Sequence, residues 1–472
     1  MRRYRDRPFR RAGHPSVNTP TAQFPTLFGT DGMRGTPGVP PLDEQTLARL
    51  GAAIVSSIMQ LSRAPRVLVG RDTRESGPWI VQQLLRGLTN GGAEVTDGGL
   101  MSTPAVAFLT KEGGFDAGVV VSASHNPFQD NGIKIFTRDG RKGDREFEVR
   151  LTELTAGDTR TLPVSEVATL EPRGLLEQYL AHTCQILEGV CLPADFRLAI
   201  DCANGANSGI APVAFRRLGL DLHVIHDSPD GRNINLHCGS THPEALAQVV
   251  VGERCDLGAA FDGDGDRVVF VDHDGAVVDG DAVLLIAARW LAASGRLAHD
   301  AVVATVMSNM GLERALWADG ISLYRCPVGD RFVAAEMEKR GLALGGEQSG
   351  HVIVADHLPT GDGLATALLI VRALVESGRS LRDLAVDLRP SPQVLLNVRV
   401  SRRTPLGDLP AVRALVDAAE QRLADEGRVL VRYSGTEPLL RIMLEGPDSV
   451  VIQQMADGIA AQVRADLGEP GG

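Results

Sequence analysis

The stretch Gly118-Val-Val-Val-Ser-Ala-Ser-His-Asn-Pro-Phe-Gln-Asp-Asn-Gly-Ile-Lys-Ile-Phe136 passes from a continuous apolar run into small, polar and turn-forming residues. An unbroken apolar run reads as a strand buried in a sheet covered by helices, and such sheets carry their functional loops at the carboxyl ends of the strands. Ser124 stands at such an end and is the candidate nucleophile. A serine hydroxyl is a weak nucleophile until a base, a metal or a cluster of donors activates it. His125 adjoins it, and Lys134 follows in the same loop. Ser, Asn, Pro and Gly also build ordinary turns, so this stretch alone is equally compatible with a plain strand and turn. Three further polar, glycine-rich loops decide between the two.

Upstream, Phe28-Gly-Thr-Asp-Gly-Met-Arg-Gly35 is a glycine-punctuated loop that places Arg34 where the backbone can bend sharply. The pattern then predicts a helix from about Asp43 to Gln60 and a strand Arg66-Val-Leu-Val-Gly70 running into Arg71-Asp-Thr-Arg74. A helix from about Pro78 to Leu88, a strand near Ala93 to Val95 and a helix near Pro104 to Lys111 complete the approach to the serine strand. Strands alternating with helices mark βαβ units and a largely parallel sheet. Residues Thr159 to Pro172 lack periodicity and read as a linker.

Downstream, a helix from about Gly174 to Leu187 and the strand Phe196-Arg-Leu-Ala-Ile-Asp201 open a second α/β unit, which reaches Leu257-Gly-Ala-Ala-Phe-Asp-Gly-Asp-Gly-Asp-Arg267. Asp262, Asp264 and Asp266 alternate with Gly263 and Gly265, whose freedom lets the backbone curl so that three carboxylates face one hard cation. An EF-hand is excluded, because its sixth position is Arg267 instead of Gly and its twelfth is His273 instead of Glu. Three carboxylates with positions left for a phosphate oxygen suit Mg²⁺.

A third unit, from about Gly280 to Leu388, carries Gly345-Gly-Glu-Gln-Ser-Gly-His351, in which Glu347 and Ser349 can accept from and donate to vicinal hydroxyls of a sugar. A smaller last unit carries Arg428-Val-Leu-Val-Arg-Tyr-Ser-Gly-Thr-Glu-Pro438. There Arg432, Ser434, the Gly435 amide and Thr436 can converge on a phosphate. Each of these loops alone is also compatible with a polar turn or an exposed hairpin. No lysine follows a glycine, so a P-loop kinase is disfavoured.

Composition bounds the rest. At 472 residues the chain needs several domains, and 43% hydrophobic with 4% aromatic residues suits an α/β protein rich in tight turns. A net charge of −11 argues against non-specific nucleic-acid binding. The six cysteines form no C-x-x-C pair and no zinc spacing, which reads as reduced thiols. No apolar run approaches the roughly 20 residues a membrane span needs, so a cytoplasmic protein without membrane contact is expected. The Arg-rich residues 1–25 lack the apolar segment of a secretory signal and read as a disordered extension.

Taken together and in order, Ser122-Ala-Ser-His-Asn-Pro127, Asp262-Gly-Asp-Gly-Asp-Arg267, Gly346-Glu-Gln-Ser-Gly-His351 and Arg432-Tyr-Ser-Gly-Thr-Glu-Pro438 resemble the four signatures of the α-D-phosphohexomutase superfamily. The likeness runs from about Thr26 to the C-terminal helix. Within the superfamily the chain is most similar to the bacterial phosphoglucosamine mutases, through Phe28-Gly-Thr-Asp-Gly-Met-Arg34, Met307-Ser-Asn-Met-Gly311, Gln348 and Thr360-Gly-Asp-Gly363; relatives acting on glucose or mannose phosphates typically carry Met at the place of Gln348. Tyr433 is a departure at a variable site.

The resemblance implies an α/β protein of four domains around a central cleft. Three are related mixed or parallel-sheet α/β units, a phosphoserine domain (26–172), a metal-binding domain (173–278) and a sugar-binding domain (279–390). The last is a TATA-box-binding-protein-like α+β lid that binds phosphate (391–472). It further implies that Ser124 carries a phosphoryl group to glucosamine 6-phosphate, giving glucosamine 1,6-bisphosphate as intermediate and activator, and takes it back to leave glucosamine 1-phosphate for amino-sugar and peptidoglycan precursors. One Mg²⁺ per subunit would sit on Ser124, Asp262, Asp264 and Asp266. Arg34, His125 and Arg267 would assist, Lys134 or His351 would move the hydroxyl proton, and Glu347, Gln348, Ser349, Arg432, Ser434, Gly435, Thr436 and Arg441 would bind substrate. The runner-up is a phosphomannomutase/phosphoglucomutase. A sugar phosphate is the partner, and the oligomeric state stays open, with a homodimer as candidate.

Overall fold

The computed structural model describes residues 27–29, 31–59, 64–157, 174–434 and 438–468. The Arg-rich extension, the expected linker, and Gly435 and Thr436 lie outside the described residues. The described residues form two compact bodies, one within 27–308 together with 321–387, the other within 309–320 and 388–468.

The first body holds three sheets. In the first, β1 (Met33–Gly35), β2 (Arg66–Arg71), β3 (Glu94–Leu100), β4 (Ala117–Val121) and β5 (Asn131–Thr137) are ordered β1-β5-β4-β2-β3. The helices α1 (Glu44–Ile58), α2 (Gly77–Asn90), α3 (Thr103–Glu112) and α4 (Arg145–Gly157) belong with it. Asp43 starts α1 by accepting the amides of Gln45 and Thr46, as an N-cap carboxylate should. β2 is parallel to β3 and to β4, whereas β5 and β1 run antiparallel. The sheet is therefore mixed, with a parallel centre as the alternation predicts and within the mixed or parallel α/β class that the resemblance implies. The physical reason is the serine loop, which is too short for a crossover and returns β5 as the antiparallel neighbour of β4.

The second sheet, order β10-β9-β8-β6-β7, repeats the pattern with β6 (Arg197–Asp201), β7 (Asp221–Ile225), β8 (Leu257–Phe261), β9 (Val268–Asp272) and β10 (Val277–Val278). Helix α5 (Leu175–Cys184) precedes it, and α6 (Ala211–Arg217) and α7 (Glu244–Gly252) are its crossovers. Again the parallel strands β7, β6 and β8 are followed by a short acidic loop and an antiparallel return.

The third sheet contains β11 (Ala301–Thr305), β12 (Ser322–Cys326), β13 (Leu344–Gly346) and β14 (Val352–Val354), with the Glu347–His351 loop as the antiparallel return between β13 and β14. In chain order α8 (Gly280–Ala293) precedes it and α9 (Met310–Ala318) and α10 (Asp330–Arg340) fall between its strands. Helices α11 (Gly363–Ser377) and α12 (Leu381–Ala385) follow. The same device thus occurs three times: a buried parallel strand, a polar loop, and an antiparallel hairpin return.

The second body is a three-stranded antiparallel sheet, order β15-β17-β16, from β15 (Gln393–Arg399), β16 (Arg428–Tyr433) and β17 (Leu439–Glu445). Helices α13 (Pro410–Leu423) and α14 (Ser449–Leu467) pack on it around Ile442, Leu444, Ile452 and Val463. Helix α9 belongs to this body. The Met310 amide donates to Glu445, and Asn309 exchanges hydrogen bonds with Ser391.

Candidate active site

Ser124 has a left-handed backbone, φ 54°, a conformation that costs a non-glycine residue about 1–2 kcal/mol. Its surroundings hold it there. The Ser122 hydroxyl accepts the Ser124 amide at 2.9 Å and donates to Asp72 at 2.6 Å. The Ser124 carbonyl accepts from Arg74 Nη2 and from Asn235 Nδ2, each at 2.9 Å, and the Asn126 carbonyl accepts from the same two side chains. Arg74 also donates to the carbonyls of Pro127 and Asp130, and its Nε lies 2.8 Å from Asp72. One fully buried guanidinium therefore shapes the entire serine loop.

The acidic loop after β8 comes directly against it. A Cβ on Gly263 would sit 2.6 Å from the Ser124 carbonyl oxygen, so only glycine permits this approach, and Gly265 supplies a positive φ of 75°. The Ser124 hydroxyl donates to Asp262 Oδ2 at 2.5 Å and lies 3.3 Å from His125 Nδ1. Thr103 donates to Asp264 at 2.5 Å. Lys134, itself buried, donates to Oδ2 of Asp264 at 2.7 Å and of Asp266 at 3.0 Å.

This arrangement sets the protonation states. Burial, then the charges of Asp266 and Asp264, push Asp262 well above the ordinary carboxyl range. Burial also works against charge on Asp266 and on Lys134, but their attraction outweighs it, holding Asp266 low and Lys134 well above an ordinary lysine. Burial and the neighbouring Arg267 and Arg34 press His125 down to about 4. Lys134, expected as one of two candidate bases, is therefore held as a cation. His351 Nδ1 lies 3.7 Å from Asp266, and its Nε2 accepts the Gly361 amide at 3.1 Å. Burial works against charge on His351, but Asp266 outweighs it and raises its pKa, whereas the Gly361 bond is made by the neutral ring with its proton on Nδ1.

Asp262, Asp264 and Asp266 offer oxygens within 4.8 Å of one another. Oδ1 of Asp264 and Oδ1 of Asp266 are buried and accept no hydrogen bond. Buried carboxylate oxygens without donors are costly, and a hard divalent cation is what such a set accommodates. The donor set therefore fits Mg²⁺. Arg34 reaches Asn126 at 2.9 Å and pairs with Asp31, and Lys142 joins Asp31, at 2.7 Å, to Asp330. The Arg267 amide donates to Asp262 at 3.1 Å.

In the Glu347 loop, Glu347 is buried and accepts the Gly329 amide at 3.1 Å, and Ser349 is exposed. Gln348 Nε2 donates to Asp279, the N-cap of α8, at 3.0 Å. That bond uses one of its two N–H groups and leaves the second N–H and the carbonyl oxygen available. In the second body, Arg432 and Arg441 are cross-strand partners on β16 and β17, and Arg432 Nε is buried without a hydrogen-bond partner. Burial and then Arg441 lower the Arg432 pKa, a pairing of like charges that an anion would relieve. Ser434 is buried there, and its carbonyl accepts from Arg403 at 2.8 Å.

Sequence reasoning missed Asp72, Arg74, Thr103 and Asn235. Asp72 and Arg74 carried a usable signal, since Arg71-Asp-Thr-Arg74 follows a parallel strand as Ser124 does. Thr103 and Asn235 carried none, because their partners are remote in sequence.

Four family models match in order: phosphoglucomutase/phosphomannomutase α/β/α domain I over residues 25–161, domain II over 177–275, domain III over 279–390, and the C-terminal domain over 395–462. Phosphoglucosamine mutase of Solibacter usitatus (strain Ellin6076) is 47% identical over 94% of this chain and 99% of its own length. That of Koribacter versatilis (strain Ellin345) is 46% identical over 96% and 99%. A phosphoglucomutase/phosphomannomutase family protein of Burkholderia thailandensis shares the fold, with TM-score 0.75 at 24% identity over 93% of this chain and 97% of that one.

Proposed function

The chain belongs to the phosphoglucomutase/phosphomannomutase family, and from that premise we propose that it interconverts glucosamine 6-phosphate and glucosamine 1-phosphate through a phosphoserine at Ser124. The observation that carries the chemistry is the Ser124 hydroxyl 2.5 Å from Asp262, inside a cluster of three converging carboxylates. The sugar assignment rests on the named relatives.

The phosphoserine gives its phosphoryl group to the C1 hydroxyl of glucosamine 6-phosphate, the P–Oγ bond breaks, and the hydroxyl proton ends on the released Ser124 Oγ. The resulting 1,6-bisphosphate reverses in the site and returns its 6-phosphoryl to Ser124 Oγ, whose proton must leave. Two acceptors are in reach of that proton, Asp262 Oδ2 and the neutral His125 Nδ1. Asp262, Asp264 and Asp266 would hold Mg²⁺, which supplies charge neutralisation for the in-line transfer when bound. Lys134, Arg34 and Arg267 add fixed positive charge around the same oxygens, at no reorganisation cost during transfer. Glu347 is the acidic group of the sugar loop and can offset an ammonium at the 2-position. Arg432, Arg441 and Ser434 bind the phosphate that is not reacting, with Gly435 and Thr436 completing that loop. A cytoplasmic location belongs to the same reading; no described helix is long and apolar enough to cross a membrane.

A second reading is a phosphomannomutase/phosphoglucomutase, the two activities named by the four matching family models. The test is kcat/KM for glucosamine, glucose and mannose 6-phosphates in one assay with the matching 1,6-bisphosphate present. Glucosamine 6-phosphate is expected to lead. A lead of more than about tenfold for either neutral sugar, roughly 1.4 kcal/mol, overturns the assignment.

A further inference from the structure

Beyond the four loops, one cluster of ligand-bearing side chains is unused by the chemistry above. Asp201 ends β6, His226 follows β7, and Cys238 lies in the loop before α7; each presents a ligand atom, all within 4.8 Å of one another. Asp201 is fully buried. Its Oδ1 accepts the Ala203 amide at 2.8 Å and its Oδ2 the Gly239 amide at 2.9 Å, leaving each oxygen a further lone pair. His226 Nδ1 lies 3.0 Å from Asp201 Oδ2, a close but poorly aligned imidazole–carboxylate pair. Cys238 adds a buried thiol.

From this geometry we propose that Asp201, His226 and Cys238 form a second cation site, selective for a borderline-soft divalent ion of the Zn²⁺ class. Thiolate, imidazole and carboxylate are the ligands of such ions, whereas Mg²⁺ takes oxygen donors and belongs to the aspartate loop. Three protein ligands leave a fourth position. His226 is part-exposed and lines a groove with Gln248, Val249 and Glu253, so water reaches that position.

The site has a structural consequence for the serine loop. The segment carrying Cys238 also carries Asn235, whose amide holds the Ser124 and Asn126 carbonyls. The segment beginning at Asp201 runs to Asn204, whose carbonyl accepts the Thr73 hydroxyl at 2.6 Å. A cation at the cluster ties these two supports together.

The test uses the full chain, stripped with chelator and then kept in excess Mg²⁺ so that the aspartate site is filled. Co²⁺ is titrated as the probe. One equivalent should bind with a thiolate-to-cobalt charge-transfer absorption, and Zn²⁺ should abolish that absorption by displacement. Cys238→Ser should remove the absorption and weaken binding by at least the roughly 100-fold that loss of an outer-shell partner alone can reach; Cys255→Ser should change neither. His226→Gly separates binding from folding, because φ at this position is 50°, which glycine adopts freely. That variant should fold in chelator yet gain no thermal stability from Zn²⁺, whereas the parent gains. Absence of the absorption, its persistence in Cys238→Ser, displacement of Co²⁺ by Mg²⁺, or an equal Zn²⁺ gain in His226→Gly each overturns the proposal.

Discussion

Replacing Arg74 by Met isolates the group that shapes the serine loop. Arg74 and Asp72 are both fully buried, and the Arg74 guanidinium serves Asp72 and the carbonyls of Ser124, Asn126, Pro127 and Asp130. The carbonyls of Ser124 and Asn126 keep Asn235 as a donor. The dominant loss is therefore the stranded Asp72 carboxylate, and removing one partner of a buried pair costs about 3–5 kcal/mol. That is a large fraction of the roughly 5–15 kcal/mol by which a domain is stable, so the first transition in urea should move sharply. Turnover should fall too, because Ser124 is no longer held at its left-handed φ. Arg74→Lys restores a charge beside Asp72 without a fork for the carbonyls. It should recover stability better than turnover. The double variant Asp72→Asn, Arg74→Met should cost less than the two single changes added together. The pH dependence has a definite sign. Burial outweighs Arg74 and the hydrogen bonds and leaves Asp72 above its ordinary pKa. A carboxyl raised on folding contributes stability below its unfolded pKa and loses it as pH rises through the folded value. Removing Arg74 raises Asp72 further, so the deficit of Arg74→Met should be largest near neutrality and shrink on acidification towards about pH 4. A loss below about 1 kcal/mol at neutral pH with unchanged kcat, or a deficit that widens in acid, refutes this reasoning.

Four further outcomes are expected. Ser124→Ala should abolish turnover and the phosphate seen by intact mass while circular dichroism stays unchanged; near-parental conversion by that variant rules out a phosphoserine. Asp264→Asn should weaken Mg²⁺ binding and rate together, and full parental activity in EDTA removes the metal from the mechanism. Arg432→Ala should cost on the order of 1.5–3 kcal/mol in kcat/KM, the worth of a charge-assisted phosphate contact, and unchanged kinetics exclude the β16 loop from substrate binding. Burial holds the Cys255 thiol at about 11 and Cys326 at about 12, so at pH 8 iodoacetamide should label exposed Cys191 first and leave both buried thiols unmodified. Early alkylation of Cys326 in the folded enzyme contradicts this.

What sequence alone determined about this protein is what local rules control. Apolar runs such as Gly118–Val121 and Leu257–Phe261, followed by hydroxyls or alternating Asp and Gly, located the buried strands and the loops at their ends, because strand burial and glycine turns are encoded over a few adjacent residues. The order of the four loops then pointed to the chemistry. The tertiary structure decided what depends on residues far apart in the chain. Arg74 reaches the serine loop only because β2 and β4 are parallel neighbours, which brings Asp72 beside Ser122. Asn235 meets Ser124 across 111 positions, a contact no periodicity records. Protonation is likewise a property of the assembled site. Lys134 stays charged because Asp264 and Asp266 face it, and Gln348 points its nitrogen at Asp279 because α8 begins there. Side-chain type is written in the sequence, but burial and the partner that each group meets exist only once the strands have been brought together.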